Sequence, residues 1–475
     1  MSNTSKKFYL TTSIAYTNTP PHIGYALEII QADVIARYHQ GLGDDVFFLT
    51  GTDEHGTKIV RAAEKAGKSP KEFTDEISDR YKELTKILNL SNDDFIRTTD
   101  RKRHWPIVQK VWLKLKENED IYKKKYKGFY CVGCEAFIKE KDLVDGKCGI
   151  HQKECELIEE ENYFFKLSKY SDRIKEIIEK DEVKIIPETR KNEMLRFIDQ
   201  GLEDVSFSRP KEKLSWGIPV PDDNSQTIYV WADALINYIS VFEGFAGDKF
   251  QKYWPPDIHF LGKDILRFHA TIWLGMLLSL GLKLPRNIFV HGFITSNGQK
   301  MSKSLGNVVN PFKLVKKYGT DAVRYFLLRE IPPTEDGDFT YEKFEKRYNS
   351  DLAGGLGNLV ARTMKLAEKL NIKPDIDENF KSEIEKIKKE YDEYIKNFRF
   401  NDCLSTIWKL ISFCDIYIEK EKPWEKNQNN SKVISNLFLA FEEITNLLNP
   451  FLPGTSEEIS KQLKIKKGKS LFPRI

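Results

Sequence analysis

The chain has 475 residues, of which 40% are hydrophobic and 31% are charged. This composition excludes an intrinsically disordered chain, and the length suggests about two to four domains. A net charge of +4 neither demands nor excludes a nucleic-acid partner, because local patches matter more than totals. The longest apolar stretch, at 271–284, is shorter than the ~20 residues that cross a bilayer, and no export signal is visible. We therefore expect a cytoplasmic protein without a membrane anchor.

Strand and helix patterns alternate at the start of the chain. Residues 8–16 read as a buried strand, 23–39 as a helix, and 45–51 as a second strand that runs into an Asp- and Gly-rich loop. Helical patterns fill 56–88, and "DDFIRTTD" reads as a third strand. Because the elements alternate in this way, we predict an α/β fold with a Rossmann-like, doubly wound parallel sheet that begins in residues 1–118.

This alternation stops near residue 119 and resumes near residue 231. Residues 119–230 hold short segments, charged turns and a cysteine cluster, which indicates an insertion between two halves of one sheet. The second half spans 231–295, and a loop-bearing region follows at 296–345. Residues 346–475 show amphipathic helices without a strand signal, which predicts a separate α-helical bundle.

The segment "TNTPPHIGYALEII", residues 17–30, places two prolines, His22 and Gly24 at the start of a helix. Unpaired backbone N–H groups and the helix dipole favour an anion at such a point. A histidine there can donate to a phosphate oxygen, and a glycine lets a flat base approach the backbone. The alternative is that His22 only caps the helix and Gly24 only packs.

A second segment, "NGQKMSKSLGN" at 297–307, places Lys300 and Lys303 among small polar residues. Gly298 and Gly306 flank the two lysines and indicate a mobile loop. Two lysines on such a loop suit the neutralisation of a triphosphate. The alternative is a solvated loop with chance lysines.

Four of the six cysteines lie between residues 131 and 155. In a chain with no export signal, such crowding favours a metal over disulfides. Cys131 and Cys134 form a CxxC pair, and Cys148 and His151 form a CxxH pair, a spacing that suits one tetrahedral, structural Zn²⁺. Cys155 is a rival fourth ligand, and unbound thiols are the alternative to a metal site.

Two short motifs connect the chain to a known family. "HIGY" at 22–25 resembles the HIGH signature of class I aminoacyl-tRNA synthetases, and "KMSKS" at 300–304 is identical to their second signature. Over essentially its whole length the chain resembles the methionyl-tRNA synthetase family, through "TGTDEHG", "YVWADALINYI", "FLGKDILRFHA", "KMSKSLGN" and "YNSDLAGGLGNLVARTM" in that order. The resemblance implies a class I synthetase fold with a zinc-bearing insertion, a tRNA-stem contact region at 296–345 and an anticodon-binding domain at 346–475.

The resemblance also implies roles for individual residues. The catalytic residues would be His22, Lys300 and Lys303. The ATP-binding residues would be His22, Gly24, Tyr25, Lys300, Met301, Ser302, Lys303 and Ser304. The methionine-binding residues would be Ile14, Tyr16, Asp53, Trp231, Ala234, Tyr238, Ile265 and His269, with Asp53 on the ammonium group. The residues that read the CAU anticodon would be Asn358, Arg362 and Trp424.

Two further expectations concern the geometry of these residues. Trp231, Ala234 and Tyr238 have the i, i+3, i+7 spacing of one helix face, so we expect them on one face of a helix that lines the site; the alternative is a plain amphipathic core helix. The fourth position of the first signature is usually histidine and is Tyr25 here. A tyrosine can donate a hydrogen bond but cannot become a cation at neutral pH. We therefore expect His22 and the lysines to carry more of the charge stabilisation, or the first step to have an altered rate.

The resemblance implies an ATP-dependent, AMP-forming methionine–tRNA ligase. L-Methionine and ATP, with Mg²⁺ on the pyrophosphate, would give methionyl-adenylate, and methionine would pass to the 3′-terminal ribose of tRNA(Met), initiator tRNA included. No appended dimerisation module is evident, so we expect a monomer. The alternatives are another class I synthetase such as the cysteinyl one, a catalytically weak, synthetase-derived tRNA-binding protein, and a zinc-dependent nucleic-acid-binding module.

Overall fold

The computed structural model describes residues 5–133, 136–138, 140, 143–149, 152–301, 305–368, 372, 374–425 and 430–475. The chain divides into two compact units. The first unit comprises residues up to 21, 44–83 and 92–290, and the second comprises 22–43, 84–91 and 291–475. Within the described ranges, no helix is both long enough and apolar enough to cross a membrane.

A parallel sheet forms the centre of the first unit. Its strands are β1 (Lys7–Thr12), β2 (Ala15–Tyr16), β3 (Asp45–Asp53), β4 (Asp94–Arg97), β10 (Lys184–Ile186), β15 (Ile258–Gly262) and β16 (Asn287–His291). The strand order is β10–β16–β15–β1–β3, and β3 also pairs with β2 and β4. The β1–β3, β1–β15, β3–β4 and β10–β16 pairs are parallel, so the predicted parallel α/β sheet is confirmed.

The first predicted strand, 8–16, contains a shift of register. Both β1 and β2 pair with β3, but the register of the second pairing is shifted by one residue relative to the first. Ser13 and Ile14 lie between the two short strands. Such a bulge re-aims the neighbouring side chains and is common beside active sites. Here it presents Ile14 to the cavity described below, although the sequence reads as one continuous strand.

The range 119–230, predicted to be an insertion, is not wholly separate from the parallel sheet. Strand β10 lies inside this range, yet it pairs in parallel with β16. Its three residues are too few to show a periodicity that distinguishes a strand from the neighbouring helical patterns. The other strands of this range are β5 (Ile121–Cys131), β6 (Ala136–Ile138), β7 (Leu143–Val144), β8 (Lys147–Cys148), β9 (Glu156–Phe165), β11 (Val205–Ser206), β12 (Ser208–Pro210), β13 (Pro219–Val220) and β14 (Asp223–Ile228).

These other strands form small antiparallel sheets. The longest pair is β5 with β9, in a sheet of order β11–β9–β5–β6, and a second sheet has the order β12–β14–β13. The helices that begin in the first unit are α2 (Thr57–Lys65), α3 (Pro70–Ile87), α4 (Trp105–Glu117), α5 (Ser171–Glu179), α6 (Glu188–Ile198), α7 (Val230–Ala234), α8 (Asn237–Ser240), α9 (Asp248–Tyr253) and α10 (Leu274–Ser279), with a π-helical segment at Phe268–Trp273.

The second unit is mainly helical, as predicted for the C-terminal part of the chain. Its helices are α1 (Ile23–Gly41), α11 (Pro311–Tyr318), α12 (Thr320–Arg329), α13 (Tyr341–Arg347), α14 (Asn358–Ala367), α15 (Glu378–Lys396), α16 (Phe400–Glu421), α17 (Asn430–Leu448) and α18 (Pro453–Ile465), with a π-helical segment at Tyr348–Gly357. Its strands are β17 (Ile294–Ser296), β18 (Gln299–Lys300) and β19 (Gly337–Phe339).

Arg324 of α12 connects α1 to the rest of the second unit. Its buried guanidinium pairs with Asp33 of α1 at 2.7 Å and donates to the carbonyl oxygens of Leu88, Pro450 and Phe451. A guanidinium carries five N–H donors in a planar fork, so one side chain satisfies several acceptors. This network accounts for a helix near the N-terminus that belongs with the C-terminal half of the chain.

Candidate active site

Most residues of the predicted methionine site line one cavity of the first unit. They are Ile14, Asp53, Trp231, Ala234, Tyr238, Ile265 and His269, and Ser13, Leu235 and Asn237 complete the lining. Tyr16, also predicted, is not among the lining residues. It is the β-sheet partner of Asp53, and the Lys58 ammonium lies 5.3 Å from its ring centroid. The structure thus gathers residues from distant chain segments into one site.

Trp231, Ala234 and Tyr238 do not share one helix, and the prediction that they lie on one helix face was wrong. Helix α7 ends at Ala234, and α8 begins at Asn237. The Asn237 side-chain amide donates to the Ala234 carbonyl at 2.7 Å. In a continuous helix the Tyr238 backbone N–H would bond to that carbonyl, so a side chain competes with the helix here. All three predicted residues still line the cavity.

Asp53 contributes a carboxylate to this cavity. It is the last residue of β3, and only 7% of it is exposed. The Thr17 N–H and hydroxyl donate to its carbonyl oxygen at 3.0 and 3.1 Å, which fixes the main chain at this point. Burial of a carboxylate is costly unless donors or a cation compensate it. The ammonium group of an amino acid supplies both.

A tyrosine–histidine pair supplies further polar groups to the cavity. The Tyr238 hydroxyl lies 2.8 Å from His269 Nε2, and His269 Nδ1 lies 3.1 Å from the Ile265 carbonyl oxygen. Because a carbonyl only accepts, Nδ1 carries the proton and Nε2 accepts from the hydroxyl. Burial lowers the pKa of His269 to about 4, so the imidazole is neutral at physiological pH. This part of the lining is therefore polarisable and uncharged.

Trp231, which lines the same cavity, stacks on Phe268, which does not line it. The Trp231 and Phe268 rings have centroids 4.0 Å apart and an interplanar angle of 15°. The Trp231 ring also meets the His269 ring edge-on, with centroids 6.0 Å apart. Aromatic rings make favourable contacts with thioether sulfur. The lining therefore suits a flexible apolar side chain that carries a polarisable atom.

Sequence reasoning missed Ser13, Leu235 and Asn237. Asn237 is buried, and its Oδ1 has no hydrogen-bond partner among the described residues, although its amide nitrogen is bonded. Each missed residue directly neighbours a predicted one in the sequence. Including the residues next to each predicted position would have found them.

His22 caps helix α1. Its Nδ1 accepts a hydrogen bond from the Gly24 N–H at 3.1 Å, and its main chain is extended, as expected of an N-cap. Because Nδ1 is the acceptor, Nε2 carries the ring proton and is a donor. A Cβ on Gly24 would lie 3.0 Å from the His22 ring, so any side chain there would crowd the imidazole. The observed cap is therefore compatible with the predicted phosphate-binding role of His22.

Lys300 lies in a β-hairpin of β17 and β18. The two turn residues, Asn297 and Gly298, both have positive φ, at 53° and 71°, as in the Asn-Gly turn that favours tight hairpins. The Lys300 side chain is exposed and Met301 is half-buried. The remaining predicted residues of this signature, Ser302, Lys303 and Ser304, lie outside the described residues.

The described residues of both signature segments, 22–25 and 300–301, belong to the second unit. The Ile23 N–H of α1 donates to the Val309 carbonyl at 3.1 Å, and Glu28 of α1 pairs with His291 at 2.8 Å. His291 precedes the second signature in the chain and Val309 follows it. Tyr25 lies in the first turn of the same helix and is buried. Two signatures that are far apart in sequence thus lie in one compact unit.

Two of the four predicted zinc ligands lie in the described residues. Cys131 ends β5 and Cys148 ends β8, and both are buried in one small cluster. Cys155, the rival ligand, packs against this cluster, and burial together with the two neighbouring thiols raises its pKa. Cys134 and His151 lie outside the described residues, and among the residues that the structure describes no group of three ligating side chains is arranged for a metal.

The predicted anticodon residues lie on α14 and after α16. Asn358 is the exposed first residue of α14, and Arg362 follows it by one turn. The Arg362 guanidinium lies 6.0 Å from the Trp424 ring centroid and 2.7 Å from the Glu419 carboxylate. Trp424 is 49% exposed. An exposed indole beside a guanidinium suits the stacking of an unpaired base.

Comparisons with known families agree with this arrangement. Residues 8–148 and 134–364 match the family model for "tRNA synthetases class I (M)". Residues 377–473 match the model for "Anticodon-binding domain of tRNA ligase". Together with the parallel sheet and the two signatures, these matches define a class I aminoacyl-tRNA synthetase.

Individual relatives narrow the class further. The chain is 44% identical to a methionine–tRNA ligase of Caldanaerobacter subterraneus subsp. tengcongensis, over 99% of this chain and 79% of that protein. It is 45% identical to the one of Thermotoga maritima, over 96% of this chain and 75% of that protein. The structure of Mycobacterium tuberculosis methionyl-tRNA synthetase in complex with methionyl-adenylate matches with a TM-score of 0.91 and 34% identity, over 99% of this chain and 100% of that chain. This chain belongs to the methionine–tRNA ligase family.

Proposed function

We propose that the protein activates L-methionine with ATP, forming methionyl-adenylate and pyrophosphate, and then transfers methionine to the 3′-terminal ribose of tRNA(Met). The observation that carries this proposal is the cavity lined by Asp53, Trp231, Tyr238 and His269. It combines a carboxylate for an ammonium group with aromatic and neutral polar groups for a thioether. Membership of the methionine–tRNA ligase family supports the same reaction.

The first step needs no side-chain base, because the methionine carboxylate is already a nucleophile at neutral pH. One carboxylate oxygen attacks the α-phosphorus of ATP, and the bond to pyrophosphate breaks as the new P–O bond forms. Catalysis then rests on positioning and on charge stabilisation. In this proposal the Nε2–H of His22 donates to a phosphate oxygen, and Lys300 and Lys303 neutralise the triphosphate. The ATP site is completed by Gly24, Tyr25, Met301, Ser302 and Ser304, with Mg²⁺ on the pyrophosphate.

The aromatic rings and the neutral Tyr238–His269 pair in the lining account for the choice of methionine. An apolar pocket discriminates one methylene by only about 1–3 kcal/mol. Sulfur–aromatic contacts with Trp231 and Tyr238 add about 0.3–1.5 kcal/mol each, which leucine and isoleucine cannot gain. The methionine site is completed by Ile14, Tyr16, Ala234, Ile265 and His269.

ATP–pyrophosphate exchange at varied methionine and varied ATP tests this assignment. Changes in the methionine cavity should raise the KM for methionine, whereas changes in the signatures should lower kcat or raise the KM for ATP. If a change at Tyr238 acted on the KM for ATP instead, the assignment would be wrong. A chain that bound tRNA without any exchange would support the alternative of a catalytically weak tRNA-binding protein.

The same proposal assigns anticodon recognition to Asn358, Arg362 and Trp424. An unstacked base lies on the exposed Trp424 indole. Arg362 and Asn358 are one helical turn apart on α14, so both side chains reach base edges from one face.

Trp424→Ala should raise the KM for tRNA(Met) in aminoacylation about 5- to 150-fold, because base–aromatic stacking contributes about 1–3 kcal/mol. Exchange without tRNA should be unchanged, since Trp424 has no part in adenylate formation. Trp424→Phe keeps a stacking face and is the matched control, with most of the affinity retained. An unaltered KM for tRNA in the alanine variant would contradict this role.

We also propose one structural Zn²⁺ held by Cys131, Cys134, Cys148 and His151. The support is the shared burial of Cys131 and Cys148, together with thiolate and imidazole donors that suit zinc. Four protein ligands leave no coordination position for a substrate. When bound, such an ion cross-links the segments that carry its ligands and stabilises a small region with little core of its own.

The purified chain should contain about one Zn²⁺ per molecule, measured by atomic absorption. Cys148→Ala should lose the ion and melt at a lower temperature, whereas Cys155→Ala should keep it, since Cys155 falls outside the paired spacing. Cys403→Ala is the matched control, because Cys403 is equally buried but lies in α16. Zinc retained in Cys148→Ala, or lost in Cys155→Ala, would overturn this ligand set.

We propose that initiator tRNA(Met) is among the substrates and that the protein is a cytoplasmic monomer. The domain limits 1–118, 119–230, 231–295, 296–345 and 346–475 also stay predictions.

A further inference from the structure

A buried hydrogen-bond network connects the chain segments that line the methionine cavity. Its centre is the carboxylate of Asp233 on α7, which is wholly buried. Asp233 Oδ2 accepts from His55 Nδ1 at 2.6 Å, and Oδ1 accepts from His104 Nε2 at 2.7 Å. All of these residues belong to the first unit. None of the three lines the cavity itself.

One arm of this network leads to the segment that carries Asp53. His55 lies two residues further along the chain, and its ring packs edge-on against Trp105 and Trp216, with centroids 5.8 and 5.7 Å away. The Trp216 indole N–H donates to the Glu54 carbonyl at 2.6 Å. His55 Nε2 is buried and has no hydrogen-bond partner within the described residues, so the bond to the carboxylate orients the ring. The loop after Asp53 is therefore held by one charged acceptor and two indoles.

The other arm leads to the segment that carries Tyr238. His104 Nδ1 lies 2.7 Å from the hydroxyl oxygen of Ser240, the last residue of α8. Asp233 itself lies in α7 next to Ala234, which lines the cavity. One carboxylate thus connects the end of β3, helix α7 and helix α8, and each of these contributes cavity residues.

A carboxylate without donors is costly to bury, and two histidine N–H groups compensate this one. Burial alone would raise the pKa of Asp233, but His55 and His104 hold it below its usual range. Removal of the carboxylate would leave two buried N–H donors without an acceptor. The network is therefore sensitive to the loss of a single side chain.

We propose that Asp233 is a positioning residue for recognition of the methionine ammonium group, because it fixes the Asp53 loop against α7. Asp233 does not line the cavity, so it acts through Asp53 and not through the substrate. This inference rests on the assignment of Asp53 to the ammonium group made above. A displacement of about 1 Å in a positioning group can cost up to ~100-fold.

Asp233→Asn tests this role, because it keeps the shape of the side chain but turns one acceptor into a donor that faces a histidine N–H. In ATP–pyrophosphate exchange, the KM for methionine should rise at least about tenfold, while kcat and the KM for ATP stay within about threefold. The probe that separates positioning from general damage is 4-(methylthio)butanoate, which is methionine without its amino group. Its inhibition constant should be the same in wild type and variant.

Asp257→Asn is the matched control. Asp257 is a buried carboxylate of the same unit, where it accepts from the Tyr9 N–H at 2.9 Å and pairs with Arg286 at 3.0 Å. It lies outside the methionine cavity, so its loss should lower stability without changing the KM for methionine. His55→Gln retains an N–H donor and should keep a KM closer to wild type than His55→Leu does.

Three outcomes would overturn the proposal. The first is a KM for methionine in Asp233→Asn that is no higher than in Asp257→Asn. The second is an affinity for the amino-free analogue that falls in Asp233→Asn as much as the affinity for methionine does. The third is the same KM for methionine in His55→Gln and in His55→Leu. The His55 pair keeps the test decisive if Asp233→Asn does not fold. Asp53→Asn separates the proposed role of Asp53 from that of Asp233. A normal KM for methionine in Asp53→Asn would refute the role of Asp53 itself.

Discussion

Replacing His22 by asparagine is expected to lower kcat for ATP–pyrophosphate exchange about 100- to 1,000-fold without loss of stability. Loss of one preorganised donor to a developing charge costs about 10²–10³ in kcat. Asparagine is a strong N-cap, so its side-chain oxygen can still accept from the Gly24 N–H. It does not reach the position of the imidazole Nε2, which is the group assigned to phosphate. Steady-state exchange of the wild type and the variant measures the effect on kcat, and thermal melts of the two measure the effect on stability.

His22→Ala is the partner variant, because it removes both the cap and the donor. It should match the asparagine variant in kcat but lose about 0.5–2 kcal/mol of stability, the usual cost of a missing N-cap. A normal kcat in His22→Asn would show that His22 only caps α1. That result would restore the alternative that the sequence left open.

Asp53→Asn is expected to raise the KM for methionine by roughly 30-fold or more, with little change in the KM for ATP. Removal of one partner from a buried charge pair costs about 2–5 kcal/mol, and every 1.4 kcal/mol is about tenfold in affinity. The asparagine has nearly the same shape and keeps the main-chain bonds from Thr17, so the cavity should persist. Exchange kinetics at varied methionine and varied ATP give both constants.

The amino-free analogue 4-(methylthio)butanoate supplies the control for Asp53→Asn. It lacks the group that Asp53 is assigned to bind, so its inhibition constant should be nearly the same in both proteins. A higher inhibition constant for the analogue in the variant would show that the substitution damaged the thioether side of the cavity. A rise in the KM for ATP alone would place Asp53 outside the amino-acid site.

The main features of the fold and cavity were predictable, but for different reasons. The alternation of buried strands and amphipathic helices near the N-terminus is a local pattern, so it predicts parallel pairing directly. Asp53, Trp231 and His269 carry no such local signal, because a buried acid, indole or imidazole is compatible with many folds. Their joint placement was predicted from the resemblance of whole motifs, and the structure puts them around one cavity.

The features that sequence reasoning missed depend on specific or long-range contacts. The break between α7 and α8 coincides with one side-chain hydrogen bond, from Asn237 to the Ala234 carbonyl, which helical periodicity cannot reveal. The placement of α1 in the second unit depends on Arg324 and Asp33, which lie far apart in the chain. The network around Asp233 was missed for the same reason, since His55 and His104 come from separate segments.

ATP–pyrophosphate exchange with each of the standard amino acids is the most direct test that this site activates methionine. The lining combines aromatic rings and a neutral tyrosine–histidine pair with one carboxylate, so it predicts exchange with L-methionine alone and every other amino acid at background. Exchange driven by another amino acid such as cysteine, or no exchange with any of them, would contradict the proposed function.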